Sequence, residues 1–63
     1  MSMVWVAVGI YGKERIYSVK PTRTIHNTWH VEVWDNVVEL PKGSIKKLIG
    51  RELTWEDDPV RLE

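Results

Sequence analysis

The sequence predicts a small, mainly β domain: an antiparallel barrel or curled sheet of four or five short strands, with one short helix before the last strand. Three observations point there. Apolar side chains recur at every second position through most of the chain, the period of a strand with an inward face. Turn-forming residues (Gly12, Pro21, Asp35-Asn36, Pro41, Gly43 and Pro59) cut these runs into short lengths. Helical spacing occurs once, where Ile45, Leu48 and Ile49 fall at i, i+3 and i+4. At 63 residues the chain is expected to be one domain, spanning 1–63. Tryptophan and tyrosine must fill its interior, because phenylalanine is absent, and Trp5 and Trp29 are the expected core rings.

Residues 3–11 form the first expected strand. Val4, Val6, Val8 and Ile10 line one face, and Met3, Trp5, Ala7, Gly9 and Tyr11 the other. Both faces are apolar, so both should be covered. Gly9 marks a bulge or a close backbone approach. A turn at 11–14 leads to a second strand, 15–20, which Pro21 ends because it has no N–H for the ladder. Residues 22–28, polar apart from Ile25, read as the longest loop.

Residues 29–40 read as a hairpin about Asp35-Asn36, two residues that tolerate positive φ. The register sets Trp34 against Val37, Val33 against Val38, Glu32 against Glu39 and Val31 against Leu40. It gathers Trp29, Val31, Val33, Val38 and Leu40 on one face. Pro41-Lys42-Gly43 ends the hairpin, Ser44 caps a helix over 45–49, and Gly50 supplies its left-handed C-terminal residue. Residues 53–55 read as the last strand and 56–59 as a turn, with Val60 and Leu62 adding a short edge pairing. The final Leu62-Glu63 also fits a cloning remnant. Short strands with a small helix before the last are the architecture of an SH3-like barrel, with the curled sheet as its open counterpart. A three-stranded sheet with a longer C-terminal helix is opposed by Gly50 and Thr54. The likeness to small barrels is architectural and implies no function.

Composition excludes several functions. Without cysteine there is no disulfide scaffold, thiolate zinc site or thiol nucleophile. No apolar run reaches the roughly 20 residues of a membrane helix, and Met1-Ser2-Met3 does not open a secretory signal. A cytoplasmic, non-membrane protein is expected. Net charge is zero, yet residues 1–31 carry +3 and residues 32–63 carry −3. Charge pairing across neighbouring strands is the expected use of that asymmetry.

Two surfaces stand out. Trp34, Tyr17 and Trp55, framed by Glu32, Glu39 and Arg15, suit a protein partner or a second copy, because exposed aromatic rings on an uncharged domain mark protein contacts. Self-association would also support so small a core. The alternative is nucleic acid, held by Tyr11, Lys13, Arg15, Tyr17, Lys20 and Arg23, where rings stack on bases and cations follow the backbone. His26, His30, Glu32 and Glu39 hold metal-binding atoms, but their spacing fits no ligand motif, so no metal or other cofactor is assigned. Lys42, Lys46, Lys47 and Arg51 read as a solvated helix face, although Gly43 and Ser44 offer backbone N–H groups to an anion. No nucleophile elbow or helical metal motif is present, so the module is expected to have no chemistry of its own.

Overall fold

A computed structural model describes residues 4–32 and 37–62. Its elements run β1 (Val4–Val8), β2 (Glu14–Tyr17), β3 (Thr22–Arg23), β4 (Trp29–His30), β5 (Val38–Leu40), α1 (Ser44–Ile49) and β6 (Val60–Leu62). Four strands form an antiparallel sheet in the order β5-β2-β1-β6, and β3 and β4 form a separate two-stranded ribbon. The mainly β class with one short helix before the last strand holds. The barrel does not: the sheet has two ends, β5 and β6, and is not closed. Among the described residues, no helix is long and apolar enough to cross a membrane.

The two-sided apolar pattern of β1 explains the layering. Its register sets Trp5 against Tyr17, Val6 against Ile16, Ala7 against Arg15 and Val8 against Glu14. Val6 and Val8 face one side, where they pack with Ile45 of α1 and Leu53, joined by Ile16, Leu40, Ile49, Val60 and Leu62. Ala7 faces the other, with Tyr17, Trp29 and Val31, joined by Trp5, Val37 and Trp55. One core is aliphatic and covered by the helix; the other is aromatic and covered by the ribbon.

Two hairpin tips share a geometry. In the first, Gly12 N–H donates to the Gly9 carbonyl (2.9 Å) and Gly9 N–H to the Lys13 carbonyl (2.8 Å). In the second, Asn27 N–H donates to the Thr24 carbonyl (3.4 Å) and Thr24 N–H to the Thr28 carbonyl (3.0 Å). The fourth residue is left-handed in each, with φ of 87° at Gly12 and 59° at Asn27. This is the three-residue hairpin loop that ends on a left-handed residue. Residues 22–28 are therefore the β3–β4 turn and its first strand, not a long loop. Gly9 begins the first tip, two residues before the turn expected at 11–14.

Among the described residues, the pairings expected of a 29–40 hairpin are absent. Trp29 and His30 pair with Arg23 and Thr22, while Val38, Glu39 and Leu40 pair with Ile16, Arg15 and Glu14. Glu39 thus opposes a cation, which removes the like-charge clash that pairing with Glu32 would impose. Val31 belongs to the aromatic core and Leu40 to the aliphatic one, on opposite sides of the sheet. The turn at Asp35-Asn36, with Val33 and Trp34, lies outside the described residues.

Residues 53–55 are not a strand. Thr54 N–H donates to Asp57 Oδ2 (2.8 Å) and Asp57 N–H to the Thr54 carbonyl, a side-chain-closed turn that competes with strand pairing. The ladder is taken by Val60–Leu62, whose Val60 and Leu62 oppose Val6 and Val4. Helix α1 begins at Ser44 with Gly43 in the cap position. Ser44 Oγ instead donates to the Pro41 carbonyl (2.6 Å). The capping group comes from β2: Glu14 accepts from Gly43 N–H (2.7 Å) and Ile45 N–H (2.8 Å). Gly50 ends the helix in the left-handed conformation, as expected, with its N–H on the Lys46 carbonyl.

Candidate binding groove

The two matched tips stand on either side of an open groove of about 1040 Å³. Each tip carries two central residues, Ile10-Tyr11 on one and Ile25-His26 on the other. The turns fix these four side chains outward: Tyr11 is 94% exposed, Ile25 93% and Ile10 43%. Between the tips, Arg15, Lys13, Trp29 and His30 line the groove, with Thr24, Asn27 and Thr28 supplying polar atoms.

Trp29 anchors the ribbon beneath it. Its indole Nε1–H donates to the Val8 carbonyl at 2.8 Å in a buried setting. Val8 lies beyond the last β1–β6 partner pair, Val6–Val60, so the indole occupies a carbonyl that the ladder does not reach. Trp55 packs edge-on to Trp29, with ring centroids 5.1 Å apart and planes at 65°. The Arg23 guanidinium stands 4.7 Å from both rings, donates to the Asp57 carbonyl (3.0 Å) and lies 3.8 Å from Asp58.

The residues proposed for a protein contact are dispersed. Tyr17 is not exposed but 1% accessible, enclosed in the aromatic core. Burial pushes its hydroxyl pKa up, and the neighbouring Arg15 works against that rise. Its place follows from register, since it opposes Trp5 on the face that the ribbon covers. Trp55 is half-buried against Trp29 and Arg23. Glu32 is exposed, 3.9 Å from His30. Glu39 lies across from Arg15 and 3.7 Å from Lys13. Trp34 lies outside the described residues.

The alternative set divides as well. Tyr11, Lys13 and Arg15 line the groove. Lys20 sits over the Trp5 ring, 5.4 Å from its centroid, and Arg23 is taken by the two indoles. The four metal-ligand candidates do not gather: His30 is beside Glu32, whereas Glu39 sits on the main sheet with Lys13. Among the described residues no group of three or more His, Cys, Asp or Glu is placed to hold a metal ion. The N–H groups at the start of α1 are occupied by Glu14. Burial raises the pKa of that carboxyl, but the N–H groups of Gly43 and Ile45, the charge of Lys42 and the N–H of Ser44 outweigh it and hold the pKa below the usual glutamate range.

Charge pairing between the two halves of the chain is present in Lys13–Glu39 and Arg23–Asp58. Arg15 is different. Among the described residues no carboxylate lies within 4 Å of its guanidinium, and it neighbours the Tyr17 hydroxyl. Sequence reasoning missed Ile10 and His26 as groove residues, and Ile25 as the exposed neighbour of His26 on the second tip. The signal was the repeated spacing, Gly9-x-x-Gly12 and Thr24-x-x-Asn27, which places a left-handed-tolerant residue three after the start of each turn. Compared with protein-family models, curated proteins and solved structures, the chain matches none, so its site is read from its own residues.

Proposed function

We propose that the chain is a non-enzymatic interaction module that engages a protein partner through the groove between its two hairpin tips. The observation that carries this reading is the exposure of large apolar side chains on those tips: Ile10 and Tyr11 line the groove, and Ile25 stands next to its lining residue His26. Of six large hydrophobic residues exposed among the described positions, Ile10, Tyr11 and Ile25 belong to these two tips. Single exposed apolar residues are ordinary, whereas a cluster around a concave surface marks a contact. Tyrosine and arginine, the types enriched at protein interfaces, are both present in this groove as Tyr11 and Arg15.

The test is selection of a displayed peptide library on the immobilised chain, compared with a Tyr11→Ala, Ile25→Ser double variant. Binding peptides should emerge on the native surface and lose at least about tenfold in affinity against the variant. Circular dichroism should remain unchanged, because neither side chain is buried. Peptides that bind both proteins equally, or none at all, would rule the reading out. A sedimentation series across concentration checks the remaining case, in which the partner is a second copy.

A further inference from the structure

Resting on that reading, we infer that the partner segment is an extended acidic peptide whose carboxylates meet Arg15 and Lys13. Lys13, Arg15, His26 and His30 line the groove, and among the described residues no carboxylate lines it. Two described carboxylates already pair with groove residues. Glu39 touches Lys13 at 3.7 Å, and Glu32 lies by His30 at 3.9 Å. Arg15 keeps an uncompensated guanidinium among the described residues, in a groove flanked by Tyr11. A carboxylate arriving there gains charge-assisted hydrogen bonds, with Glu39, across the ladder from Arg15, as its competitor among the described residues.

The same arrangement argues against a phosphate backbone. A nucleic acid draws its affinity from a track of cations that displaces counterions. Here the cations that would extend the track are withdrawn, Lys20 to the Trp5 ring and Arg23 to Trp29 and Trp55. What remains is a local excess suited to one or two carboxylates, with Tyr11 and Ile10 left to meet apolar side chains between them. Zero net charge agrees, since it provides no long-range field for a polyanion.

The experiment uses the full chain and displayed peptides of about eight residues, which span about 27 Å when extended, close to the 29 Å width of the molecule. The selected pool should be enriched in Asp and Glu. A selected peptide should lose about tenfold when its acids are changed to amides, and about tenfold against Arg15→Gln. Glu39→Gln should act in the opposite direction and tighten binding several-fold, because it removes the competing carboxylate. That sign separates charge recognition from a fold defect.

A pool without acidic enrichment, or acidic peptides indifferent to both Arg15→Gln and Glu39→Gln, would overturn the inference. So would an oligothymidylate of matching length binding more tightly than any selected peptide, or a self-association that the peptides displace. Neutral peptides that still require Tyr11 would sink this inference and leave the interaction reading standing. A library that yields nothing would sink both.

Discussion

The β1–β2 and β3–β4 hairpins turn with the same hydrogen-bond pattern, yet they are held in different ways. The first continues into strands of five and four residues that form the centre of the sheet. The second has two residues in each strand, both exposed in β3, and among the described residues its strands pair only with each other. A two-stranded ribbon alone is marginal in water. It is held here by Trp29, whose ring fills the aromatic core and whose N–H reaches Val8 across 21 positions of sequence. Equal turns therefore do not imply equal stability; the flanking strands decide it, and where they are short a single side chain must substitute for a ladder.

The largest expected effect breaks that substitution. Trp29→Ala should cost about 3–5 kcal/mol, comparable with the whole stability of a domain this size, roughly 3–9 kcal/mol. Urea unfolding measures it. Trp29→Phe keeps most of the ring but strands the Val8 carbonyl, at about 1–3 kcal/mol. Hydrogen exchange should then rise first at the β3–β4 ladder and leave the β1–β2 ladder protected. Uniform loss of protection would mean that the ribbon and sheet unfold as one unit.

That dependence also explains what was legible in the sequence. Residues 4–17 announce themselves because every side chain alternates, and the covering of both faces of β1 could be read directly from Trp5 and Ala7 lying between the valines. Helix α1 and its Gly50 terminus were legible for the same local reason. The ribbon was not, because two-residue strands have no period to detect and its anchoring is a long-range hydrogen bond. The 29–40 segment misled for a subtler cause. Its alternation is real, but Val31 and Leu40 alternate into different cores, and periodicity does not say which sheet a strand joins. Tyr17 was missed as core because its covering layer is the unpredicted ribbon. The groove depended on both tips at once, so local reasoning found Tyr11, Lys13 and Arg15 but not the His26 side that completes it.

A second, smaller effect concerns the first hairpin's link to the helix. Glu14 belongs to β2 and caps α1, so the hairpin and helix share a carboxylate. Glu14→Gln should cost about 1–2 kcal/mol. Its folded pKa is depressed, so the stabilisation is complete above the unfolded-state value, about 4.3 for glutamate, and is lost as pH falls through the lower folded value. The native chain should therefore lose stability across that acid window more steeply than the glutamine variant. Parallel curves from neutral pH down to the acid limb would show that the cap contributes as a hydrogen-bond acceptor and not through its charge.

The two turns themselves offer a matched pair of changes. Gly12 has φ of 87° and open space about its missing side chain, so Gly12→Ala incurs only the backbone penalty of the left-handed region, about 1–2 kcal/mol. Asn27 already tolerates its φ of 59°, and Asn27→Gly should change stability by less than about 0.5 kcal/mol. Thermal melting of the two variants checks the claim that both loops have the same conformation. A large loss from Asn27→Gly would locate the second turn's stability in the asparagine side chain instead.

The smallest expected effect on stability is the one that matters most for function. Tyr11 is the most exposed large apolar residue described, and it caps a hairpin whose strands need nothing from it. Tyr11→Ala should leave the urea midpoint within about 0.5 kcal/mol of the native value, while peptide affinity falls at least about tenfold. The contrast with Trp29 is the point of the comparison: one ring is spent inside, holding a ribbon to the sheet, and the other is held outside by a turn that fixes its direction. If Tyr11→Ala destabilises the fold as Trp29→Phe does, the ring is part of the packing and the groove has lost its rim; if it changes binding alone, the tip is there to be met.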